Sequence, residues 1–283
     1  MFTVVIPALN EAGAIGPLID RLVTLSTKPE IIIVNDGSTD RTADIAREKG
    51  AIVVSHPCPG GYGRSVKDGI RHATHDVIVI TDADGTYPIE DIPRLLAGLE
   101  KGFDMVVGAR KGRHYRGSFL KMPARIFLKW LVEFTTGRNI PDINSGFRVF
   151  RKSTVLPYID DLCNGFSFTT TITLVYMLSG KFVEYISIDY FARVGVSKVR
   201  IIRDSFRTLQ YITEIIAIYN PLKLYVLCSA ILGFCALAAL IASIVGNVGF
   251  FVIAALFFAS ACIVFAIGVH AYIETKSACR RVA

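Results

Sequence analysis

The first 110 residues alternate short apolar runs with stretches whose apolar residues recur at helical spacing. The runs predict β-strands, and the stretches between them predict helices. The predicted strands are Thr3–Ile6, Ile31–Val34, Ile52–Ser55, Val77–Thr81 and Met105–Gly108. The predicted helices lie near Ala14–Leu25, Asp40–Lys49, Gly63–Ala73 and Pro93–Lys101. Strands that alternate with helices are typical of an α/β domain with a mainly parallel sheet.

The carboxy-terminal part of the chain has a different pattern, because no Asp, Glu, Lys or Arg occurs from Leu224 to Ile273. A helix that spans a bilayer needs about 20 apolar residues. Residues 224–245 and 248–269 each reach that length. They predict a two-helix transmembrane hairpin within residues 221–283. The alternative is a buried pair of core helices, but so many uncharged residues are hard to hide in a small domain.

Two further stretches predict amphipathic helices, in residues 119–135 and 198–220. Each places aromatic and aliphatic side chains on one helical face and basic side chains on another. Basic amphipathic helices with aromatic residues are typical of elements that lie on a membrane surface. For residues 119–135, packing on the sheet is the alternative. The predicted organisation is therefore an α/β domain over residues 1–197 that includes this helix, a juxtamembrane helix over 198–220, and the hairpin.

The net charge of +7 is unevenly distributed along the chain. It is −5 in residues 1–109, +9 in residues 110–152, zero in residues 153–220 and +3 in residues 221–283. A concentrated basic block indicates an anionic partner. Because this block adjoins the predicted membrane-surface helix, a lipid phosphate is favoured over nucleic acid. The six cysteines form no CxxC pair, so neither a zinc site nor a disulfide framework is predicted.

The flanks of the predicted hairpin are basic. Lys223 precedes it, and Lys276, Arg280 and Arg281 follow it. A hairpin returns both flanks to the same side of a membrane, and basic flanks favour the cytoplasmic side. We therefore expect an integral membrane protein whose α/β domain and carboxy-terminal tail lie on the cytoplasmic face.

Polar motifs follow the predicted strands, and ligands of such sheets bind at the carboxyl ends of the strands. Asn10 and Glu11 end VVIPALNE, Asp36 lies in VNDGSTD, and Asp82 and Asp84 lie in TDADGTYP. Two carboxylates on alternate positions after a buried strand repel each other unless a cation lies nearby. The pair therefore predicts a divalent metal such as Mg²⁺, which leaves room for phosphate oxygens. The alternatives are a solvated turn for this pair and a helix cap for the Asp36 motif.

Two other groups of residues are candidates for phosphate binding. An arginine guanidinium binds phosphate through two parallel hydrogen bonds. The candidate arginines of the basic block are Arg110, Arg116, Arg138, Arg148 and Arg151. A general attraction to anionic lipid is the alternative, and it explains Lys121, Arg125 and Lys129. The glycine-rich GGYGRS at 60–65 could admit a phosphate at a helix start, although a simple loop explains it equally well. No GxGxxG follows the first strand, which disfavours a dinucleotide site.

Taken together, the motifs resemble those of family 2 glycosyltransferases with the GT-A (Rossmann-like) fold, of the dolichyl-phosphate or polyprenyl-phosphate hexosyltransferase type. The matching strings are IPALNE, VNDGSTDRT, TDADGTYP, VVGAR, PDINSGFRVFRK and VGVSK. They cover most of residues 1–200, and their combination in this order is specific. Two positions depart from the family pattern: Leu9 stands where Tyr is frequent, and Thr86 stands where a Gln can help to hold the metal.

The resemblance implies a role for each matching residue. The nucleotide-sugar would be bound by Pro7, Ala8, Glu11, Asp36, Asp82, Arg193 and Lys198. A Mg²⁺ or Mn²⁺ ion would be held by Asp82 and Asp84. The acceptor phosphate would be bound by Arg138, Arg151, Arg148 and Arg116. The catalytic residues would be Asp84, Asp142, Arg138 and Arg151, with Asp142 near the reacting centre.

The resemblance also implies the reaction. It is an inverting transfer of a hexose from a nucleotide-sugar, of the GDP-mannose or UDP-glucose type, to the phosphate of a membrane polyprenyl or dolichyl phosphate. A phosphate monoester carries about −1.5 to −2 charges at neutral pH and needs no general base. The alternative is a membrane-anchored family 2 glycosyltransferase that acts on a hydroxyl group of a glycolipid or protein, for which Asp142 would be the base. The expected partners are these substrates and the lipid bilayer, without nucleic acid; homo-oligomerisation is left open.

Overall fold

The structure is a computed structural model that describes residues 1–111, 122–192, 201–245 and 249–282. The chain forms two compact units, Met1–Tyr211 and Ile212–Ala283. The border between them falls within one helix, Ile201–Tyr219. The first unit holds every strand of the described residues, and the second holds two long apolar helices.

The first unit is built on a seven-stranded sheet. Its strands are β1 (Thr3–Ala8), β2 (Glu30–Asn35), β3 (Ile52–Ser55), β4 (Val77–Ile80), β5 (Met105–Lys111), β6 (Arg148–Arg151) and β7 (Val183–Asp189). Their order across the sheet is β3-β2-β1-β4-β6-β5-β7. Only β6 is antiparallel to its neighbours, β4 and β5. The other six strands are parallel, so their carboxyl ends lie side by side. We call this end of the sheet the carboxyl edge, and β6 begins there. The opposite end of the sheet is the amino edge.

The five predicted strands are confirmed, with ends that differ by at most three residues. The apolar pattern did not indicate β6 or β7. β6 is short and begins and ends with arginine, although Arg148 is fully buried. β7 is the outermost strand on one side of the sheet and is only partly buried along most of its length. Both strands owe their place to pairing with neighbours that are distant in sequence.

The helices of the first unit cover both faces of the sheet. They are α1 (Ala12–Val23), α2 (Thr42–Glu48), α3 (Tyr62–His72), α4 (Ile92–Glu100), α5 (Met122–Thr136), α6 (Lys152–Val155) and α7 (Phe168–Leu178), followed by α8 (Ile201–Tyr219) across the unit border. Within the described residues, 3₁₀ turns lie at Ile89–Asp91 and Leu156–Tyr158. The predicted helices are confirmed there, while residues 119–121 and 198–200 of two of them lie outside the described residues. Helix α7 was not predicted, because its buried, threonine-rich sequence lacks a polar face.

Helices pack on both faces of the sheet, which explains why the strands are nearly continuous apolar runs in the sequence. Apolar side chains of α1 and α4 pack on one face of the sheet, in a cluster that includes Val4 of β1 and Val79 of β4. On the other face, α3 approaches β1 closely at Gly69, where a Cβ atom would lie 2.3 Å from Val5. A strand that is buried on both faces needs apolar residues at successive positions. This packing fixes the loops at the carboxyl edge.

The second unit contains α9 (Pro221–Val245) and α10 (Gly249–Val282). Their apolar parts, Pro221–Ile244 and Gly249–Thr275, have 24 and 27 residues and are long enough to cross a membrane. The two helices contact each other where the Ser229 hydroxyl donates to the Ala261 carbonyl at 2.9 Å. Large apolar side chains such as Phe234 and Leu256 are exposed on this unit. The predicted pair of spans is thus present as two helices of the required length and composition.

Candidate active site

The loops that follow β1 and β2 are joined by hydrogen bonds at the carboxyl edge. The Ser38 hydroxyl accepts from the Asn10 N–H at 2.9 Å, and the Asn10 side-chain oxygen accepts from the Thr39 N–H at 2.8 Å. Asn10 has a φ of +50°, which is uncommon for a residue other than glycine. The Thr42 hydroxyl accepts from the Glu11 N–H at 2.9 Å. These contacts place Glu11, at the start of α1, beside the loop after β2.

Asp36 follows β2 and makes several hydrogen bonds in this region. Its N–H donates to the Ala8 carbonyl at 2.9 Å, so the end of β1, with Pro7 and Ala8, lies next to it. Its carboxylate accepts from the N–H groups of Gly60 and Gly61 at 2.7 and 2.9 Å. The Asp36 carboxylate therefore fastens the turn at 60–61 to the end of β2.

The ionisation of Asp36 follows from these contacts. The residue is only 5% exposed, and burial by itself would raise the pKa of its carboxyl. Hydrogen bonds from His56, Gly60 and Gly61 outweigh burial, so the pKa of Asp36 lies below its usual value. Asp36 is therefore a carboxylate at neutral pH.

His56 connects Asp36 to α3. Its Nδ1 lies 2.7 Å from Asp36 Oδ1, and its Nε2 lies 3.1 Å from Asp68 Oδ2. The turn into α3 also requires glycine, because Gly61 has a φ of +104°. The GGYGRS motif is thus the turn that opens α3, held at the carboxyl edge by Asp36 and His56.

The aspartate pair follows β4 at the same edge. Asp84 is 4% exposed, and its Oδ1 accepts from the N–H of Thr86 at 3.1 Å and from the Thr86 hydroxyl at 2.7 Å. Asp82 Oδ1 accepts from the Tyr62 hydroxyl of α3 at 3.1 Å. A Cβ atom at Gly146 would lie 2.7 Å from Asp82 Oδ1, so a side chain there would displace the Asp82 carboxylate. The pair is therefore enclosed from two sides.

The donor chemistry of this pair fits a hard divalent cation. Within the described residues, no group of three or more His, Cys, Asp and Glu side chains could hold a metal by itself. Carboxylate oxygens are ligands that Mg²⁺ and Mn²⁺ prefer. Magnesium is commonly bound by one or two carboxylates together with water and substrate phosphates. Asp82 and Asp84 thus suit a metal that binds together with a phosphorylated ligand.

Asp142 lies farther along the carboxyl edge, beside Arg110 of β5. It is 2% exposed, and both of its oxygens accept from Arg110: Nε donates to Oδ2 at 2.7 Å and Nη2 to Oδ1 at 2.9 Å. The Arg110 guanidinium also lies 5.3 Å above the ring of Tyr190. Asp142 is thus placed to orient Arg110. To act as a proton acceptor, it would first have to lose this ion pair.

A row of contacts connects the aspartate pair to Arg110. Gly146, which abuts Asp82, donates its N–H to the Tyr87 hydroxyl at 2.8 Å. The ring of Tyr87 meets the ring of Tyr190 edge-on at 5.4 Å, and Tyr190 lies under Arg110. The carboxyl edge therefore carries acidic groups at one end and a held guanidinium at the other.

The prediction that Arg148 binds an acceptor phosphate is wrong. Arg148 is 0% exposed, and its guanidinium donates within the protein: to the Ser145 carbonyl at 2.7 Å, the Ile143 carbonyl at 2.8 Å and the Thr173 hydroxyl at 2.7 Å. Burial lowers the pKa of Arg148, although nearby groups oppose this shift. Arg148 holds the loop before β6 against α7.

The structure also gives the positions of Arg151 and Arg138. Because β6 is antiparallel, Arg148 pairs with Ile80 at the carboxyl edge, whereas Arg151 pairs with Val77 at the amino edge and lies 3.9 Å from Asp76. Arg138 is exposed, and its Nη1 lies 3.4 Å from the carbonyl oxygen of Lys181, just before β7 begins. The strand direction places Arg151 away from the aspartate pair, which corrects its expected role, whereas the role expected of Arg138 stays a prediction.

Three expected site residues, Arg116, Arg193 and Lys198, lie outside the described residues, and their roles stay predictions. Conversely, His56 and Tyr62 lie at the carboxyl edge although they are not among the predicted site residues. The rule that placed Asp36 and Asp82 applies to His56 as well, because His56 directly follows β3. Tyr62 lies inside the GGYGRS motif, but only the folded turn brings its hydroxyl to Asp82.

Comparisons with known proteins agree with this architecture. The model of glycosyl transferase family 2 matches residues 3–156. An undecaprenyl-phosphate 4-deoxy-4-formamido-L-arabinose transferase from Salmonella choleraesuis (strain SC-B67) is 30% identical over 212 residues, which cover 71% of this chain and 63% of the relative. A dolichyl-phosphate hexose transferase from Haloferax volcanii is 34% identical over 151 residues, which cover 53% of this chain and 65% of the relative. The chain thus spans less than two thirds of the length of these curated relatives.

Among solved structures, glucosyl-3-phosphoglycerate synthase from Mycobacterium tuberculosis, in complex with Mn²⁺, UDP-glucose and phosphoglyceric acid, superposes with a TM-score of 0.60. The match covers 77% of this chain and 79% of that chain at 21% identity, so it concerns the fold alone. The mainly parallel α/β sheet is that of the GT-A fold, as predicted. Together with the match over residues 3–156, this establishes that the chain belongs to glycosyl transferase family 2.

Proposed function

We propose that the chain transfers a hexose from a nucleotide-sugar to the phosphate of a polyprenyl or dolichyl phosphate, with inversion at the anomeric carbon. The observation that carries this proposal is the placement of Asp82 and Asp84 beside Tyr62 and the turn held by Asp36. Family membership supports sugar transfer. The relatives whose names include undecaprenyl phosphate and dolichyl phosphate support the class of acceptor.

The donor would bind where β1, β2 and β4 end. The ends of β1 and β2 would line the nucleoside pocket, with Pro7, Ala8, Glu11 and Asp36. A Mg²⁺ or Mn²⁺ ion held by Asp82 and Asp84 would supply positive charge to the diphosphate leaving group. Since Asp36 is ionised and already accepts two backbone N–H groups, its contact with the nucleoside would be through a donor such as a ribose hydroxyl.

The acceptor would approach from the side of Arg110. A phosphate monoester with about −1.5 to −2 charges is nucleophilic without a base, so the main requirement is to bring two anions together. Arg110 is oriented by Asp142 and stacked on Tyr190, which makes it a pre-organised phosphate ligand. Arg193 and Lys198 would assist by facing the donor diphosphate.

A polyprenyl acceptor requires the site to be near a membrane, and two features support this. Helix α5 buries Leu131 and Val132 but exposes the aromatic residues Phe127, Trp130 and Phe134, which stack on one another. Aromatic side chains beside basic ones are typical of interfacial helices. The candidate spans in α9 and α10 would anchor the chain, with the basic flanks and the α/β domain on the cytoplasmic face.

The alternative acceptor, a hydroxyl group, is less well supported. A hydroxyl nucleophile needs a general base, and Asp142 was the candidate. Both oxygens of Asp142 accept from Arg110, and the residue is almost completely buried. A phosphate acceptor uses this ion pair as it stands, whereas a hydroxyl acceptor would require it to open.

The test is a transfer assay with the purified full chain in detergent or bilayers. It combines a panel of UDP- and GDP-sugars, Mn²⁺ or Mg²⁺, and either a polyprenyl phosphate or the corresponding polyprenol. We expect product only with the phosphate, and we expect Asp84→Asn to reduce turnover by at least about a hundredfold, because it removes a carboxylate that serves the leaving group. Nuclear magnetic resonance of the product would give its anomeric configuration.

The matched control is Asp44→Asn on α2, an equally conservative change at an exposed ion pair with Arg47. This variant should transfer sugar at the wild-type rate. Equal transfer to the polyprenol would contradict the phosphate acceptor. Unchanged turnover in Asp84→Asn would contradict the metal site, and a product with retained configuration would contradict in-line displacement.

A further inference from the structure

The first residue of α3, Tyr62, touches the aspartate pair. Its hydroxyl donates to Asp82 Oδ1 at 3.1 Å. A Cβ atom added at Gly146 would lie 2.9 Å from the Tyr62 hydroxyl and 2.7 Å from the same Asp82 oxygen. The hydroxyl and this oxygen are therefore enclosed together. One oxygen of Asp82 is thus engaged within the protein.

Tyr62 is itself held in place by contacts on both sides. The turn before it is fastened by Asp36 through the N–H groups of Gly60 and Gly61. The residue after Gly63, Arg64, donates its N–H to the Asn164 carbonyl at 3.0 Å. The Tyr62 ring stacks on Phe166 with ring centroids 6.1 Å apart. A side chain restrained in this way can orient a carboxylate.

The hydroxyl keeps its proton across the working range of pH. Burial and the negative charge of Asp82 raise the pKa of Tyr62 well above its usual value. Tyr62 is therefore a hydrogen-bond donor to Asp82 near neutral pH.

We infer that Tyr62 is a positioning residue for Asp82: its hydroxyl holds one carboxylate oxygen so that the other faces the divalent cation. This inference rests on the proposed function, because it concerns the same metal site. It assigns to α3 a part in metal binding, since Asp36, the glycine turn, Tyr62 and Asp82 are linked by successive contacts. Partners of metal ligands commonly change metal affinity about 10- to 100-fold when they are removed.

The experiment measures Mn²⁺ binding to the full chain by electron paramagnetic resonance, with Mn²⁺ alone and with UDP or GDP added. Tyr62→Phe keeps the ring and its stacking but removes the hydroxyl. We expect about tenfold weaker Mn²⁺ binding. In the transfer assay, the Mn²⁺ concentration for half-maximal rate should rise by a similar factor, whereas kcat at saturating Mn²⁺ should change less.

Two controls separate positioning from packing. Tyr158→Phe makes the same chemical change in the 3₁₀ turn Leu156–Tyr158 and should bind Mn²⁺ like the wild type. Phe166→Leu removes the stacking partner but keeps the hydroxyl, and it should change Mn²⁺ affinity less than about twofold, because the bond to Asp82 remains. Melting temperatures would identify any variant that fails to fold.

The outcomes distinguish this inference from the proposed function. If Asp84→Asn weakens Mn²⁺ binding and Tyr62→Phe does not, the role of Tyr62 is wrong and the metal site stands. If neither variant weakens binding relative to the wild type, the metal site itself is wrong. If Tyr62→Phe and Phe166→Leu weaken binding equally, Tyr62 acts through packing and not through its hydroxyl.

Discussion

The two halves of the sheet place functional residues in different ways. In the half formed by β3, β2, β1 and β4, all strands are parallel, and each acidic motif follows its strand at the carboxyl edge. In the half formed by β6, β5 and β7, one strand is reversed. There, Arg148 and Arg151 lie at opposite ends of the reversed strand β6. A polar residue that follows an apolar run can therefore be placed at the carboxyl edge only if the direction of its strand is known.

Arginines 148 and 151 show what the reversal does. They are three residues apart, and a strand rises roughly 3.3 Å per residue, so about 10 Å separates their backbones along β6. Arg148 begins the strand at the carboxyl edge and turns into the interior, whereas Arg151 ends it at the amino edge. Neither is the surface phosphate ligand that the sequence predicted. One serves the fold, and the other is remote from the site.

The largest effect that we expect from this comparison is on stability. Arg148→Ala would leave two carbonyl groups and one hydroxyl without their donor, in the interior. Each stranded group costs about 1–3 kcal/mol, and we expect a loss of about 4 kcal/mol in the free energy of unfolding. In a chain of this size, that corresponds to a fall of roughly 8–16 °C in Tm, measured by thermal melting of the purified protein.

The matched substitution is Arg151→Ala, at an exposed position of the same strand. Surface changes of this kind usually stay within about 0.5 kcal/mol, so its Tm should be within about 2 °C of the wild type. A stable Arg148→Ala variant with a raised KM for the acceptor would reverse our conclusion and restore Arg148 as a phosphate ligand.

The sequence predicts the strands and site residues better in the parallel half of the sheet than in the half that contains β6. Local sequence pattern predicts the five apolar strands, β1 to β5, and both candidate spans. It also predicts the acidic motifs that follow β1, β2 and β4. The place of β6 does not, because its pairing with β4 and β5 depends on residues that are distant in sequence. The ion pair of Asp142 with Arg110 is likewise set by tertiary contact. The sequence therefore predicted a catalytic carboxylate at Asp142, whereas in the fold both of its oxygens accept hydrogen bonds from Arg110.

The next effect concerns Arg110 and Asp142, the pair that gives the second half its place in the proposed mechanism. We expect Arg110→Met and Asp142→Asn each to lower kcat/KM for the polyprenyl phosphate by about 10- to 100-fold, or about 1.4–2.7 kcal/mol. Since Asp142 acts by orienting Arg110, the double variant should be no worse than Arg110→Met alone. Steady-state kinetics of the three variants at saturating donor would test this.

The cycle also separates the two roles considered for Asp142. If Asp142 were a general base, its loss would add to that of Arg110, and Asp142→Asn would remove the acid limb of the pH–rate profile. With a positioning role, the profile should keep its shape while its height falls. Additive losses would therefore favour a hydroxyl acceptor over a phosphate.

A smaller effect is expected at Asp36, in the parallel half. Its pKa is lower in the folded protein than the usual value of about 3.9. A carboxyl of this kind stabilises the fold above its unfolded pKa, and the stabilisation disappears as the pH falls through its folded pKa. Asp36→Asn should therefore lower stability by about 1–2 kcal/mol from pH 7 to pH 5, and the difference should shrink below about pH 4. Melting curves across this range would reveal it; a difference that grows at acidic pH would contradict the assignment.

The smallest expected effect lies at the amino edge, with Arg151→Ala. At 0.15 M salt, charges are screened over about 8 Å, which is less than the rise of β6 from the carboxyl edge to Arg151. The KM for the acceptor phosphate should therefore change less than about twofold at this ionic strength. At 0.01 M salt the screening length grows to about 30 Å, so a modest rise in KM should appear and vanish again when salt is added. A direct phosphate contact would instead raise KM at both salt concentrations, and it would mean that the reversed strand does not separate Arg151 from the site.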